Sequence, residues 1–319
     1  MTDLSKWIDF TKLSSSDAKF LRAVPDLIAI EEWSGLMPWQ SIETPIQKIW
    51  KQSSLVELQE MFASEMKHQY GYKIPGRYEV RSEHERTESL TAIKNKQTSY
   101  QMADVDYDIN KYGFRGDFDL ETKNNSIAFF GCSVTFGVGV AEKDSFPVLI
   151  GKGLNMQPFN FGVPGGSFAK AVRYFRLISN FKKFEYAIFL LPEISRLEIP
   201  TEDGITNIAP NLKKDEDYIR KVYSVLPDEF LEYDVLKNIL YCISIANQTN
   251  TKIYFSSWSP STYNLLYNFL GEDSNMLIPY FENLGGKHEN TSEFGRDGKH
   301  PGASSHYQFY KKAMEYINV

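Results

Sequence analysis

The sequence is poor in cysteine: only Cys132 and Cys242 occur in 319 residues. Two thiols cannot build the set of bridges that staples a small secreted domain. The fold must therefore rest on a packed core, and each cysteine is expected as a reduced thiol in apolar surroundings. A basic surplus is also missing, since 35 Lys and Arg stand against 41 Asp and Glu, for a net charge of −6. That argues against a nucleic-acid binder, which needs cations to neutralise phosphates. Long apolar runs are absent as well. The strongest strand candidate, Tyr186–Leu191, falls far short of the ~20 residues that span a bilayer, so no membrane partner is expected. The opening stretch MTDLSKWIDF has no basic segment followed by an apolar one. The expectation is no secretory signal, and a cytoplasmic protein or one released by a non-Sec route, for instance with a virion. Among the histidines, His68, His84, His288 and His306 show no metal-binding spacing such as H-E-x-x-H. They read as surface or satisfied structural groups, and no metal or other cofactor is expected.

What is present is a globular composition, 42% hydrophobic and 24% charged, able to bury a sizeable core. The pattern changes character near residue 120. Residues 1–120 are irregular and mostly helical in pattern, and carry Trp7, Trp33, Trp39 and Trp50. They read as an N-terminal extension, a candidate for docking, oligomerisation or substrate binding. Ile46 to Met66 reads as one or two amphipathic helices, and Arg77 to Glu88 as a polar loop or edge segment. Residues 121–319 read as the main domain. There, short continuously apolar strands (Ser126–Phe130, Phe159–Phe161, Tyr186–Leu191, Lys252–Ser256) alternate with helices at Ser145–Leu154, Ser167–Phe181, Glu229–Asn247 and Ala303–Ile317. Strands apolar along their whole length are covered on both faces, and βαβ alternation makes them parallel. The fold class is therefore α/β, a three-layer α/β/α sandwich. Sites in such sheets form beyond the carboxyl ends of the strands.

Three segments carry chemistry. FFGCSVTFGVGV (Phe129–Val140) puts Ser133 in a glycine-bracketed turn after the first strand, where the hydroxyl is presented and backbone N–H groups face a developing oxyanion. FNFGVPGGSF (Phe159–Phe168) follows the next strand; its glycines allow close backbone approach, and Gly165 N–H is an oxyanion candidate. RDGKHPG (Arg296–Gly302) places Asp297 three residues before His300, a spacing that lets a carboxylate orient an imidazole as base. A serine hydroxyl needs such a base to become a nucleophile. Taken singly, each segment also reads as an ordinary polar or glycine-dependent turn.

Together, and in this order, they resemble the SGNH/GDSL hydrolase family over Asn110–Val319. Gly131-Cys132-Ser133 is similar to the family's Gly-Asp-Ser block. Asn160-Phe161-Gly162-Val163-Pro164-Gly165 is similar to its second block, and Asp297-Gly298-Lys299-His300 to its closing Asp-x-x-His block. The lead-in Asn110-Lys111-Tyr112-Gly113-Phe114-Arg115-Gly116 resembles a segment found ahead of the first block in some members. The resemblance implies a flavodoxin-like α/β/α fold and a metal-free serine esterase. Its triad would be Ser133, His300 and Asp297, its oxyanion donors Ser133 and Gly165, and its substrate a small ester or an acylated carbohydrate. Two departures stand out. Cys132 replaces the block's aspartate. Where the family has Gly-x-Asn-Asp after its third strand, this chain reads Leu191-Pro192-Glu193-Ile194-Ser195-Arg196. One oxyanion donor is thus missing, a loss that typically costs about 10²–10³ in rate. Ser195 or Arg196 could substitute, or Arg196 could hold an anionic group of the substrate, or it could simply pair with Glu193 or Glu198. A binding or structural module with a weakened site, for example in a virus particle, and an O-acyltransferase are the competing readings.

Overall fold

The computed structural model describes residues 54–70, 73–123, 125–201, 204–210, 216–272, 274–282 and 294–317. Trp7, Trp33, Trp39, Trp50 and His288 lie outside the described residues, as do the His68 side chain and the first part of the segment read as helical from Ile46.

In chain order the elements are α1 (Leu55–Tyr70), β1 (Gly76–Tyr78), α2 (Glu83–Lys94), β2 (Tyr107–Ile109), β3 (Ser126–Gly131) and α3 (Ser133–Phe136). Then follow α4 (Phe146–Gly153), β4 (Gln157–Gly162), α5 (Phe168–Ile178), β5 (Tyr186–Leu191), β6 (Leu197–Thr201) and β7 (Gly204–Ile208). The chain continues through α6 (Glu216–Val225), α7 (Asp228–Thr249), β8 (Lys252–Ser257), α8 (Pro260–Leu270) and α9 (Ala303–Ile317).

The main sheet has the order β4-β3-β5-β8, and every pairing is parallel. The four strands are those the apolar runs mark out. Alternate residues of each strand supply the two cores. Ala128, Phe130, Phe161, Phe189 and Phe255 face the layer built by α5, α7 and α8. Ile127, Phe129, Ile188 and Leu190 face the layer of α4 and α9, where Phe146, Ile150, Phe309 and Ala313 close over them. Each of the Ile, Leu and Phe side chains among them contributes about 1.5–3 kcal/mol by leaving water. At one register Phe161, Phe130, Phe189 and Phe255 run straight across the sheet, with ring centroids 5.0, 4.8 and 5.6 Å apart. Their stacking fixes the relative heights of the strands. The carboxyl ends therefore finish level, Gly131 opposite Gly162 and Leu190. The first strand lies between the second and third, and the crevice of a doubly wound sheet opens at that switch point.

The segment Arg77–Glu88, expected as loop or edge, instead supplies β1 and the first turns of α2. The local reason is a cap: Ser82 Oγ accepts the Glu85 N–H at 3.2 Å, a Ser-x-x-Glu start signal. α8 and the β6–β7 hairpin were not marked by periodicity. α8 forms because Thr262, Leu266, Phe269 and Leu270 share a buried face. α1 packs Leu58, Phe62 and Met66 into the same core as the sheet. No helix among the described residues is long and apolar enough to cross a membrane.

An ion cluster ties α1 and the β6–β7 hairpin to α5. Glu65 accepts from Lys170 at 2.5 Å and Arg173 at 2.9 Å, and Arg173 also grips Glu198 at 2.7 and 3.0 Å. Lys170 and Arg173 are almost fully buried. Burial alone would raise the Glu65 carboxyl, but the two cations outweigh it and hold it at about 2. The folded value lies below the ordinary 4.5. The stabilisation is therefore complete above pH 4.5 and is lost as pH falls toward 2. Glu65→Gln should cost about 3 kcal/mol at neutral pH and flatten the fall in stability between pH 4.5 and 2. Urea titrations of both proteins across that range check it.

Candidate active site

β3 delivers Ser133 to the level edge of the sheet. Gly131 has to be glycine, because a Cβ there would lie 2.2 Å from Thr135 Oγ1 and 2.6 Å from the Leu190 carbonyl oxygen. Ser133 opens the short α3, which turns out through Gly137 in the left-handed region at φ +81°. The serine is 8% exposed. Its hydroxyl donates to Cys132 Sγ at 3.9 Å. Cys132 is fully buried and also receives the Trp258 indole N–H at 3.1 Å.

Asn160, the first residue of the second motif, holds α3 from the neighbouring strand. Its amide donates to the Thr135 carbonyl at 2.9 Å, and its oxygen accepts the Gly162 N–H at 2.9 Å. Gly162 lets the two segments touch: a Cβ would fall 2.3 Å from the Phe136 nitrogen. Gly165 takes φ +74°, and Gly166 N–H closes the turn on the Val163 carbonyl at 2.8 Å.

The base pair predicted from sequence forms. Asp297 Oδ2 and His300 Nδ1 are 2.6 Å apart. Asp297 Oδ1 accepts the N–H groups of Lys299 and His300 at 3.2 and 3.1 Å. Burial would raise this carboxyl, but the bonds from the His300 ring and from those two backbone groups hold it at about 2. An ionised carboxylate only accepts, so His300 Nδ1 carries the proton and Nε2 is left as the basic nitrogen. Asp297 is 3% exposed, whereas the His300 side chain is 27% exposed. Ser133 and His300 are not hydrogen-bonded to each other in this structure; the serine's described bond is the one to Cys132.

The loop that follows Ser133 and the loop that carries Asp297 and His300 meet backbone to backbone. Arg296 N–H donates to the Gly139 carbonyl at 2.6 Å. A Cβ on Gly139 would come within 2.9 Å of the Arg296 nitrogen and 3.0 Å of Asp297 Oδ1. Arg115, from the lead-in motif, is fully buried behind this contact. Its guanidinium donates to the carbonyls of Phe136, Gly137, Asp106 and Val140, at 3.2, 2.5, 2.8 and 2.9 Å.

In the segment after β5, Arg196 bonds Glu193 at 3.2 Å, as one of the readings for this arginine expected. Its guanidinium also lies 5.4 Å from the Trp258 ring centroid. Ser195 is anchored by its carbonyl, which accepts the Tyr223 hydroxyl. Trp258 was not singled out from sequence. The signal available was its place directly after the KIYFS strand, at an edge where site residues gather. His306 is a satisfied structural histidine. It accepts the Phe146 N–H at 3.2 Å, and complete burial, with Arg115 and His300 nearby, lowers it to about 3, so it stays neutral.

Compared by sequence, the chain matches no family model and no curated protein. Compared by structure, it is similar to the psychrotrophic esterase EstA from Pseudoalteromonas sp., at 14% identity over 61% of this chain and 97% of that one, with a TM-score of 0.38. It is similar to AlinE4, an SGNH-hydrolase family esterase, at 18% identity over 62% of this chain and 96% of that one, with a TM-score of 0.34. It is also similar to the acetyl xylan esterase Est2A from Butyrivibrio proteoclasticus, at 13% identity over 61% of this chain and 63% of that one, with a TM-score of 0.38.

The Gly139 contact generates a prediction. At φ +75° a side chain costs about 1–2 kcal/mol by conformation alone, and here it also meets the base loop. Gly139→Ala should lose at least about 2 kcal/mol of stability. Chemical denaturation that shows no loss would refute the contact.

Proposed function

We infer that the protein is a serine-dependent ester hydrolase. The observation that carries this reading is the Asp297–His300 pair at 2.6 Å, on a loop bonded directly to the loop that follows Ser133. In this reading the Ser133 hydroxyl swings from Cys132 to His300 Nε2, gives up its proton and attacks the ester carbonyl. Bonds between a catalytic base and its nucleophile often tighten only once substrate is bound. The Oγ–C bond forms and the carbonyl becomes an oxyanion, held by the N–H groups of Ser133 and Gly165. His300 returns its proton to the departing alcohol as the C–O bond breaks. Water, activated by the same imidazole, releases the acid and restores the hydroxyl. Asp297 remains ionised throughout and holds the imidazolium.

Pro192 has no N–H to offer where the third donor would stand. In this reading Arg196, braced on Trp258, stands in for it, with Ser195 beside it. Its role is to hold an anionic substituent of the substrate. The substrate class we favour is an O-acylated carbohydrate, and residues 1–120 are read as a docking or substrate-binding extension.

The test pairs fluorophosphonate labelling with hydrolysis of a chromogenic acetate ester. Labelling at Ser133 is expected. Ser133→Ala and His300→Ala should each abolish turnover, and Asp297→Asn should lower kcat by about 10⁴-fold. Full activity in Ser133→Ala would overturn the assignment. Arg196→Ala should lower kcat/KM for a hemisuccinate ester about 10-fold or more, and affect the neutral acetate far less. An equal loss on both esters would assign Arg196 to the oxyanion or to structure instead.

A further inference from the structure

A fully buried carboxylate lies outside the three motifs and is not used by the mechanism above. Glu85 sits in the first turn of α2 and is 1% exposed. Its two oxygens take four donors. Oε1 accepts Arg296 Nη2 at 2.9 Å and the Tyr107 hydroxyl at 2.7 Å. Oε2 accepts Arg81 Nε at 2.7 Å and the Arg81 N–H at 3.2 Å.

Each Oε1 partner leads to one side of the site. Arg296 immediately precedes Asp297, and its N–H is the group that bonds Gly139. Its Nη1 donates to the carbonyls of Met102 and Val105, and its Nη2 also to that of Glu79. Tyr107 accepts the Gly139 N–H at 2.9 Å on the oxygen that donates to Glu85. Burial and the Glu85 charge push the Tyr107 hydroxyl far above its ordinary range, so it remains a donor. Glu85 therefore reaches the base loop through Arg296 and the nucleophile loop through Tyr107. Gly139 is held from both directions, its N–H by Tyr107 and its carbonyl by Arg296.

We propose that Glu85 is a positioning residue that sets the separation of Ser133 from His300 by gripping both loops through Tyr107 and Arg296. It does so from a helix that precedes the main sheet in the chain. The proposal rests on the hydrolase reading for its catalytic consequence, but the coupling of the two loops can be measured without it.

The primary variant is Tyr107→Phe, which removes one hydroxyl and keeps the ring. Glu85→Gln is the stronger variant, and Glu88→Gln, on the same helix and paired with Lys299, is the control. In full-length protein, amide hydrogen exchange of Tyr107→Phe should rise at least tenfold in both 136–140 and 295–300, with the sheet strands unchanged. A rise confined to 136–140, or none, would overturn the coupling. On a chromogenic ester, Tyr107→Phe should lower kcat about 10-fold and Glu85→Gln about 100-fold, with KM within twofold of the wild type. The double variant should lose no more than Glu85→Gln alone, because both act through one connection. Glu88→Gln should match the wild type. Additive losses, or a rise in KM at constant kcat, would reduce Glu85 to a structural role. If the wild type neither hydrolyses the ester nor takes the fluorophosphonate, the hydrolase reading fails. The exchange result then still decides whether Glu85 couples the loops.

Discussion

Two buried arginines carry the join on which the site depends. Arg115 gathers carbonyls from the loop after α3, and Arg296 gathers carbonyls from the segment between β1 and β2. Carbonyls in a buried turn need partners, because an unsatisfied buried polar group costs about 1–3 kcal/mol. A guanidinium answers several at once with a rigid fork of donors. It also brings a charge into a dry place, which must itself be neutralised. Glu85 meets that need for Arg296. Both guanidiniums lie near the ring of Tyr107, at 4.8 and 5.9 Å from its centroid, whose π face offers further compensation. The loop after Ser133 and the loop of Asp297 and His300 thus share one polar knot beneath them, and the parallel sheet carries only the Ser133 side of that arrangement.

The sheet was legible from sequence because its strands are apolar from end to end. No other arrangement buries both faces of SIAFF or YAIFLL, and the observed strands begin and end within a residue or two of the runs. Ser133, Asp297 and His300 were legible as an ordered set, and the bond between the last two follows from a spacing of three residues. The knot beneath them was not. Arg296 and Glu85 are separated by 211 positions, so no local pattern records their contact. Only the Ser82–Glu85 cap was a local signal for α2, and it lay in a stretch whose polarity suggested loop. Arg115 was visible as part of a motif, but its action through carbonyls on another loop follows only from the fold. Trp258 went unmarked, since an aromatic after a strand also serves ordinary packing and only its place offered a signal.

The departure at Cys132 has a physical consequence for the charge balance of the site. The residue is fully buried among Ile127, Phe129, Val134, Ile188 and Leu190. A carboxylate in that setting would have to be desolvated against two described donors, the Trp258 indole and the Ser133 hydroxyl, with no cation among them. A thiol accepts one weak bond at little cost, and here it receives the indole N–H and the serine hydroxyl. No carboxylate stands at the residue before Ser133. Negative charge is placed instead at Asp297, where the imidazole and two backbone N–H groups satisfy it. In the hydrolase reading this separation suits the reaction. The carboxylate that would stabilise the imidazolium is held within its own loop by two backbone N–H groups, and the residue before the serine adds no second carboxylate. The described carboxylate partner of Arg196, Glu193, is half-exposed and within one turn of chain. Its guanidinium rests on the tryptophan that also holds Cys132. A substrate carboxylate arriving there would meet a cation already oriented by stacking, with the Glu193 side chain free to yield to water.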